Sequence, residues 1–254
     1  MFMPPAKTLC SACLAALLWS VSAARADPAR PGEDGDAAAD AWAFKLTPSY
    51  YVTRHQADAT DLNLRANTGP HALWVGAYRR SSAFEQTRGG YEYTAQLPFG
   101  QVVPSLQVAT HGFAGASVNA QIGDQVYGIL GLGRTNTRDY YNLNFDPNDS
   151  VVYGLGTRLL PKSNLSLFTV KDNRLHTGQM ITHLVWRFVP AERRRWTVDL
   201  STKHGRTSAD GDAVAGAALA LTFDYGDVFL RLARERKVNF TADDQTRLSL
   251  GLRF

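Results

Sequence analysis

His111 and Ser117 lie six residues apart across Gly112. A hydroxyl beside an imidazole base is the minimum apparatus of a nucleophilic hydrolase. If a short turn at Gly112 joins two strands, alternation puts both side chains on one face. The competing reading is a polar pair lining an interior. His183 and Asp199 also share a face of neighbouring runs, with Arg187 close by, and describe an internal hydrogen-bonded network. His71 follows Gly69-Pro70 and reads as a turn residue.

Two acidic loops echo one another. Asn144-Phe145-Asp146-Pro147-Asn148-Asp149 resembles Asn239-Phe240-Thr241-Ala242-Asp243-Asp244, and each leads into a run containing L-G-x-R. Asp146, Asn148, Asp149, Asp243 and Asp244 could supply hard oxygen ligands to a cation. Their spacing is not that of an EF-hand, and Asp/Asn side chains satisfying local backbone donors explain the echo more simply. No phosphate loop, dinucleotide fingerprint or zinc motif is present, so neither a cofactor nor a metal is expected.

The larger set of candidate residues is defined by parity. Lys45, Arg65, Arg88, Glu92, Gln107, Asn119, Arg158, His183, Arg187, Asp199, Lys203 and Arg247 all fall on the face opposite the apolar residues in runs of period two. In WAFKLTPSYYVT, for example, Trp42, Phe44, Leu46, Pro48, Tyr50 and Val52 alternate with Lys45, Thr47 and Ser49. TDLNLRAN, RGGYEYTAQL and residues 180–188 repeat the pattern. HALWVGAYRR, QVYGILGLGR and LSLFTVKD are apolar on both faces and leave their orientation open. In all, the chain reads as about fourteen strands, with twelve as the alternative, and no segment after residue 26 keeps a helical period.

The elements bracketing these runs fix where they belong. Lys7, the apolar stretch Leu14 to Val21 and Ala24-Arg25-Ala26 describe a signal peptide over 1–26. The stretch is shorter than the roughly 20 residues a membrane helix needs. Cys10 and Cys13 leave with it, and with them thiolate metal sites and cysteine nucleophiles. Residues 27–41 carry five acids against Arg30 and read as a disordered leader. From Trp42 onward 24 Lys/Arg face 18 Asp/Glu, without the basic-aromatic clustering that nucleic acid would demand.

Connections alternate in length. NTGP, PFG, GD, PKSN, PAERR and YGD are tight. TRHQADA, NTRDYYNLNFDPNDS, NRLHTG, GRTSADGD and KVNFTADD are longer and polar. An all-β, antiparallel up-and-down transmembrane barrel over 42–254 has this rhythm, with short turns on the periplasmic side. A soluble sandwich or lipocalin-like barrel would also alternate. Aromatics near run ends, and inner faces rich in Gly, Ser, Asn and Gln, favour the membrane form.

The final run QTRLSLGLRF, with Leu248, Leu250, Leu252 and Phe254 at alternate positions, resembles the assembly signal of Gram-negative outer-membrane β-barrel proteins. The resemblance implies location in the outer membrane, with outer-membrane lipid and the barrel-assembly machinery as partners. It implies a porin-like channel for small hydrophilic solutes. The excess of inward Lys and Arg over Asp61, Glu92 and Asp199 adds a bias toward anions. A non-conducting receptor or structural barrel is the alternative. A lipid-modifying outer-membrane hydrolase using His111 and Ser117 is a third reading, although the H-x-S-N-G arrangement of outer-membrane phospholipases is missing, and no enzymatic activity is expected.

Overall fold

In lipid every backbone donor and acceptor needs a partner within the protein, and for strands only a closed sheet provides one. The computed structural model describes residues 41–81 and 84–254. The expected signal peptide and all of the leader except Ala41 lie outside the described residues. The strands follow in meander order. β1 (Ala43–Thr53), β2 (Ala59–Thr68) and β3 (His71–Arg80) come first. β4 runs over Phe84–Tyr93 and resumes at Ala95–Leu97, interrupted at Thr94. β5 (Gly100–Ala109), β6 (Phe113–Gly123), β7 (Val126–Thr135) and β8 (Ser150–Thr157) continue the series. β9 (Ser163–Asp172), β10 (Met180–Ala191) and β11 (Arg194–Arg206) follow. β12 (Ala213–Tyr225), β13 (Val228–Glu235) and β14 (Gln245–Arg253) complete it.

Every neighbour is antiparallel. β14 pairs with β1 from Lys45↔Arg253 to Thr53↔Gln245, and both pieces of β4 pair with β5. The ring therefore has fourteen strands and no open edge among the described residues. Phe44 and Phe254 exchange backbone hydrogen bonds at 2.7 and 3.0 Å, sealing the last rung.

Parity sorts side chains radially. On β1, Thr47, Ser49, Tyr51 and Thr53 are buried while Pro48, Tyr50 and Val52 are exposed. Leu62, Leu73, Val75, Leu106, Leu130, Leu155, Leu167, Leu230 and Leu250 are likewise exposed, giving an apolar belt around the wall. At about 25 cal/mol per Å², such a belt could not persist in water and is what hydrocarbon requires. The three runs left open resolve the same way. In β3 Ala72, Trp74, Gly76 and Tyr78 face inward, and in β9 Phe168 and Val170 do.

Outward aromatics collect at the end bearing the tight turns. Trp42, Phe44 and Phe254 stack in series, Trp186 lies on Phe188 at 5.4 Å, and Trp196 meets Phe223 at 4.4 Å. Amphipathic rings favour the headgroup level, so this end marks one membrane interface. The loop end contributes Tyr50 and Tyr153.

The interior corrects one expectation. It is not uniformly polar: Tyr127, Ile129, Val152, Phe168, Val170 and Val185 form an apolar cluster on the inner wall of β7 to β10. A cylinder of fourteen strands is wider than its own side chains can fill, and large rings on one wall help to close it. Leu167, at mid-height on β9 opposite Leu155 and Leu184, tests the lipid-facing assignment. Leu167→Arg should lower stability by about 2–4 kcal/mol in equilibrium urea unfolding from lipid vesicles. An unchanged unfolding midpoint would contradict it.

Candidate functional site

The inner faces of β1 to β6, β13 and β14 surround a cavity of about 180 Å³. Seven of the twelve expected lining residues meet there: Lys45, Arg65, Arg88, Glu92, Gln107, Asn119 and Arg247. Two ion pairs organise its wall. Arg65 holds Glu92 bidentately at 3.0 and 2.6 Å, and Arg88 holds Asp61 at 2.8 and 2.9 Å. Both pairs reach from β2 to β4 over β3. Arg88 can cross because Gly76 carries no side chain: a Cβ there would lie 2.9 Å from the guanidinium. The same economy lets Phe229 lie flat across Gly251.

The opposite wall carries the rest. His183 on β10 sits between two carboxylates, with Nδ1 3.0 Å from Asp199 and Nε2 3.2 Å from Asp146, and stacks on Phe168 at 5.0 Å. Arg187 lies on the same strand face, and Lys203 on β11 pairs with Glu235. Arg158, near the tight-turn end, covers the Tyr127 ring at 4.3 Å. Arg253, which the alternation of QTRLSLGLRF turns inward, joins Arg195 on Asp224 inside.

The loop between β7 and β8, residues 136–149, does not stand out in the surrounding medium. It crosses the lumen. Tyr140, Leu143, Phe145, Asp146, Asn148 and Asp149 are all buried. Gln86 clamps the Tyr141 backbone with bonds of 2.8 and 2.9 Å, and Arg80 donates to the Tyr141 hydroxyl at 2.8 Å. Tyr140 stacks on Phe113 at 4.2 Å and receives a bond from Gln107. Burial pushes the Tyr140 hydroxyl up to about 12, so it stays neutral. From the far side Arg247 donates to the Leu143 carbonyl at 3.4 Å, and Asn239 to that of Asn142 at 3.3 Å.

Asn239 belongs to the second echoing loop, 236–244, which also folds inward. Phe145 and Phe240 occupy matching places: both hold left-handed backbone, φ 67 and 56, and both are buried. A bulky residue there is strained by about 1–2 kcal/mol, offset by ring burial. The carboxylates of these loops are engaged by neighbouring groups. Asp146 binds His183, Asp149 binds Thr135 and Arg174, Asp243 faces Gln56 and His55, and Asp244 faces Arg234. Among the described residues no three His, Cys, Asp or Glu side chains could hold a metal ion.

The hydrolase pair is likewise parted. His111 is exposed in the turn with φ 66, whereas Ser117 is buried and bonded to Ser105 at 2.7 Å. The turn reverses the chain at His111 itself, so parity counted through it gave the wrong face. Sequence reasoning missed Arg231, Trp74 and Arg80, all of which face inward. Arg231 stands between Leu230 and Leu232, a signal of alternation blurred by Phe229 and Ala233.

No family model matches the chain, and no curated protein matches it. Solved structures do. The Acinetobacter baumannii outer-membrane protein Omp33 superposes with a TM-score of 0.52 at 8% identity, over 84% of this chain and 98% of that one. The KdgM porin gives 0.47 at 6% identity, over 82% and 98%. The NanC porin gives 0.48 at 8%, over 82% and 98%. The Omp33 likeness shows a shared fold, that of an outer-membrane β-barrel.

Asp61 and Arg88 are the most deeply buried ion pair. Asp61→Leu, which strands the guanidinium, should cost about 3 kcal/mol in urea unfolding. The double variant Asp61→Leu/Arg88→Met should recover most of that loss. Equal destabilisation by both would show that the pair contributes shape rather than charge balance.

Proposed function

We propose that the chain is an outer-membrane channel for small hydrophilic solutes, with a bias toward anions. The observation that supports this most directly is the composition of the enclosed cavity: Lys45, Arg65, Arg88, Arg231 and Arg247 face only Asp61 and Glu92. Inside a low-dielectric wall an uneven charge set concentrates ions of the opposite sign and repels the others. Width is available because fourteen strands exceed what their own side chains fill. The twelve expected lining residues then act as the wall of the path, and solutes small enough to pass the loop over 136–149 are its cargo.

The clamps on Tyr141 and Tyr140 favour a second reading, a barrel held shut by that loop and serving as a receptor or structural element. The two readings separate in planar bilayers. The channel reading expects small unitary conductance and a reversal potential displaced toward the anion potential in a salt gradient. Removing residues 142–145 should raise the conductance severalfold. Cation selectivity, or silence even after the deletion, would refute the channel.

Leu248, Leu250 and Leu252 point outward at the seam with β1, and Phe254 stacks on Phe44 at 5.6 Å. These positions support their reading as the assembly signal, presented beside the strand that must finally close against β14. Phe254→Ala should reduce the heat-modifiable, folded form in isolated outer membranes, while the same chain refolds in detergent. Normal membrane assembly would remove the signal from Phe254.

A further inference from the structure

The charges around the inner cavity are unevenly neutralised. Both carboxylates that line it are spoken for: Glu92 by two nitrogens of Arg65, Asp61 by Arg88. Three cations on the wall formed by β13, β14 and β1 have no carboxylate partner among the described residues. Lys45 is held over the Phe229 ring at 5.8 Å, and Arg247 over the Tyr51 ring at 5.2 Å. Arg231, whose strand neighbour across the seam is Ser249, has a buried Nε without any hydrogen-bond partner. Three further atoms without a partner belong to buried residues that line the same space: Arg88 NH1, Thr47 Oγ1 and the acceptor Asn119 Oδ1.

A buried charge or donor left unpaired is expensive, and native interiors hold few of them. Of the buried side-chain atoms without a partner among the described residues, four belong to residues lining this one cavity, on Thr47, Arg88, Asn119 and Arg231. Neutral donors stand among them. Ser49 and Ser249 bond each other at 2.8 Å on the same wall, and Asn63 and Asn144 complete the lining. Trp74 offers a flat apolar face on the β3 side, with room made by Gly90. Above lies the stretch Tyr140–Asn144, so the cavity is roofed from the loop end and lies among the strand halves nearer the tight turns.

We infer that this cavity is a saturable binding site for one small oxyanion-bearing solute, a carboxylate or phosphate of about six to ten heavy atoms or fewer, held by Arg231, Arg247 and Lys45. The inference rests on the channel reading for its biological sense, but binding needs no conductance. The guanidinium groups match planar or tetrahedral oxyanions through parallel N–H donors, and Lys45 adds a point charge. A neutral solute of equal size would leave the cations unbalanced. The size limit follows from the volume of about 180 Å³, room for about six separate water-sized occupants at about 30 Å³ each and for somewhat more atoms when they are bonded to one another.

The test uses the chain purified in detergent and equilibrium dialysis with labelled inorganic phosphate, succinate and erythritol, a neutral polyol with as many heavy atoms as succinate, in separate arms. The expectation is saturable binding of phosphate, succinate or both at one per chain, and none of erythritol. Arg231→Gln and Arg247→Gln should each weaken it by about tenfold or more, the loss of one charged hydrogen-bonding partner. Arg79→Gln, an exposed outward position paired with Glu85, should leave it unchanged. Heat-modifiable gel mobility establishes that each variant is folded. Non-saturable anion uptake, equal binding of erythritol, or folded Arg231→Gln and Arg247→Gln chains that bind like wild type would each overturn the site. Anion-selective conductance without saturable binding would sink the site and leave the channel. Binding without conductance would do the reverse.

Discussion

A strand in hydrocarbon has no tolerance for a missing partner, and closure of the ring is the constraint from which the other features descend. Once β14 has met β1 and β4 has met β5, each residue has only two radial directions available. Alternation along the chain then becomes a separation in space, lipid outside and enclosure inside. Arginines such as Arg65, Arg187 and Arg231 are forced inward by their apolar neighbours, because at mid-depth outside they would cost about 2–4 kcal/mol each. The concentration of charge in the interior is thus a consequence of the sheet and not a separate design.

Closure with fourteen strands creates a second problem, which is width. Side chains alone leave a space too wide to stay dry and too charged to collapse. Three kinds of filling meet it. Large rings occupy the wall from β7 to β10. Long arginines reach across a neighbouring strand, as Arg88 does above Gly76. The loops 136–149 and 236–244 then bring Phe145 and Phe240 into the outer half, each on strained backbone that its buried ring supports. The repeated Asn-Phe pair is therefore a plugging device used twice, and its acidic residues serve local bonds and His183.

Much of this was legible in the sequence because period two is a local property. Leu62 and Leu64 against Asp61 and Arg65 need no knowledge of partners. The alternation of tight and long connections gave the meander, and the parity of Arg253 gave its face. What failed was non-local. His111 was misplaced because a turn breaks the count. The inner cluster around Phe168 was hidden in runs apolar on both faces, where alternation carries no information. The crossing of Arg65 to Glu92 depends on the registers of three strands at once, and nothing in either residue's neighbourhood fixes them. Tyr140, Leu143 and Phe145 were a usable signal: an exposed polar loop has no need of such side chains.

The interior charges fall into two populations with different consequences. Pairs such as Arg88 with Asp61 and Lys203 with Glu235 satisfy themselves and stiffen the wall; their net field at a distance is that of a dipole and decays quickly. Lys45, Arg231 and Arg247 do not cancel, and their field extends through the cavity they border with little screening from the surrounding apolar wall. Selectivity should follow the second population and not the total count of basic residues. Neutralising Arg65 would turn a balanced pair into an uncovered anion at Glu92, whereas neutralising Arg231 removes one charge and uncovers none; replacing Arg65 and Glu92 together would remove only a dipole. The wall from β13 through β14 to β1, where the barrel closes, therefore carries both the mechanical integrity of the ring and the three cavity cations without a carboxylate partner among the described residues, and a change there acts on both at once.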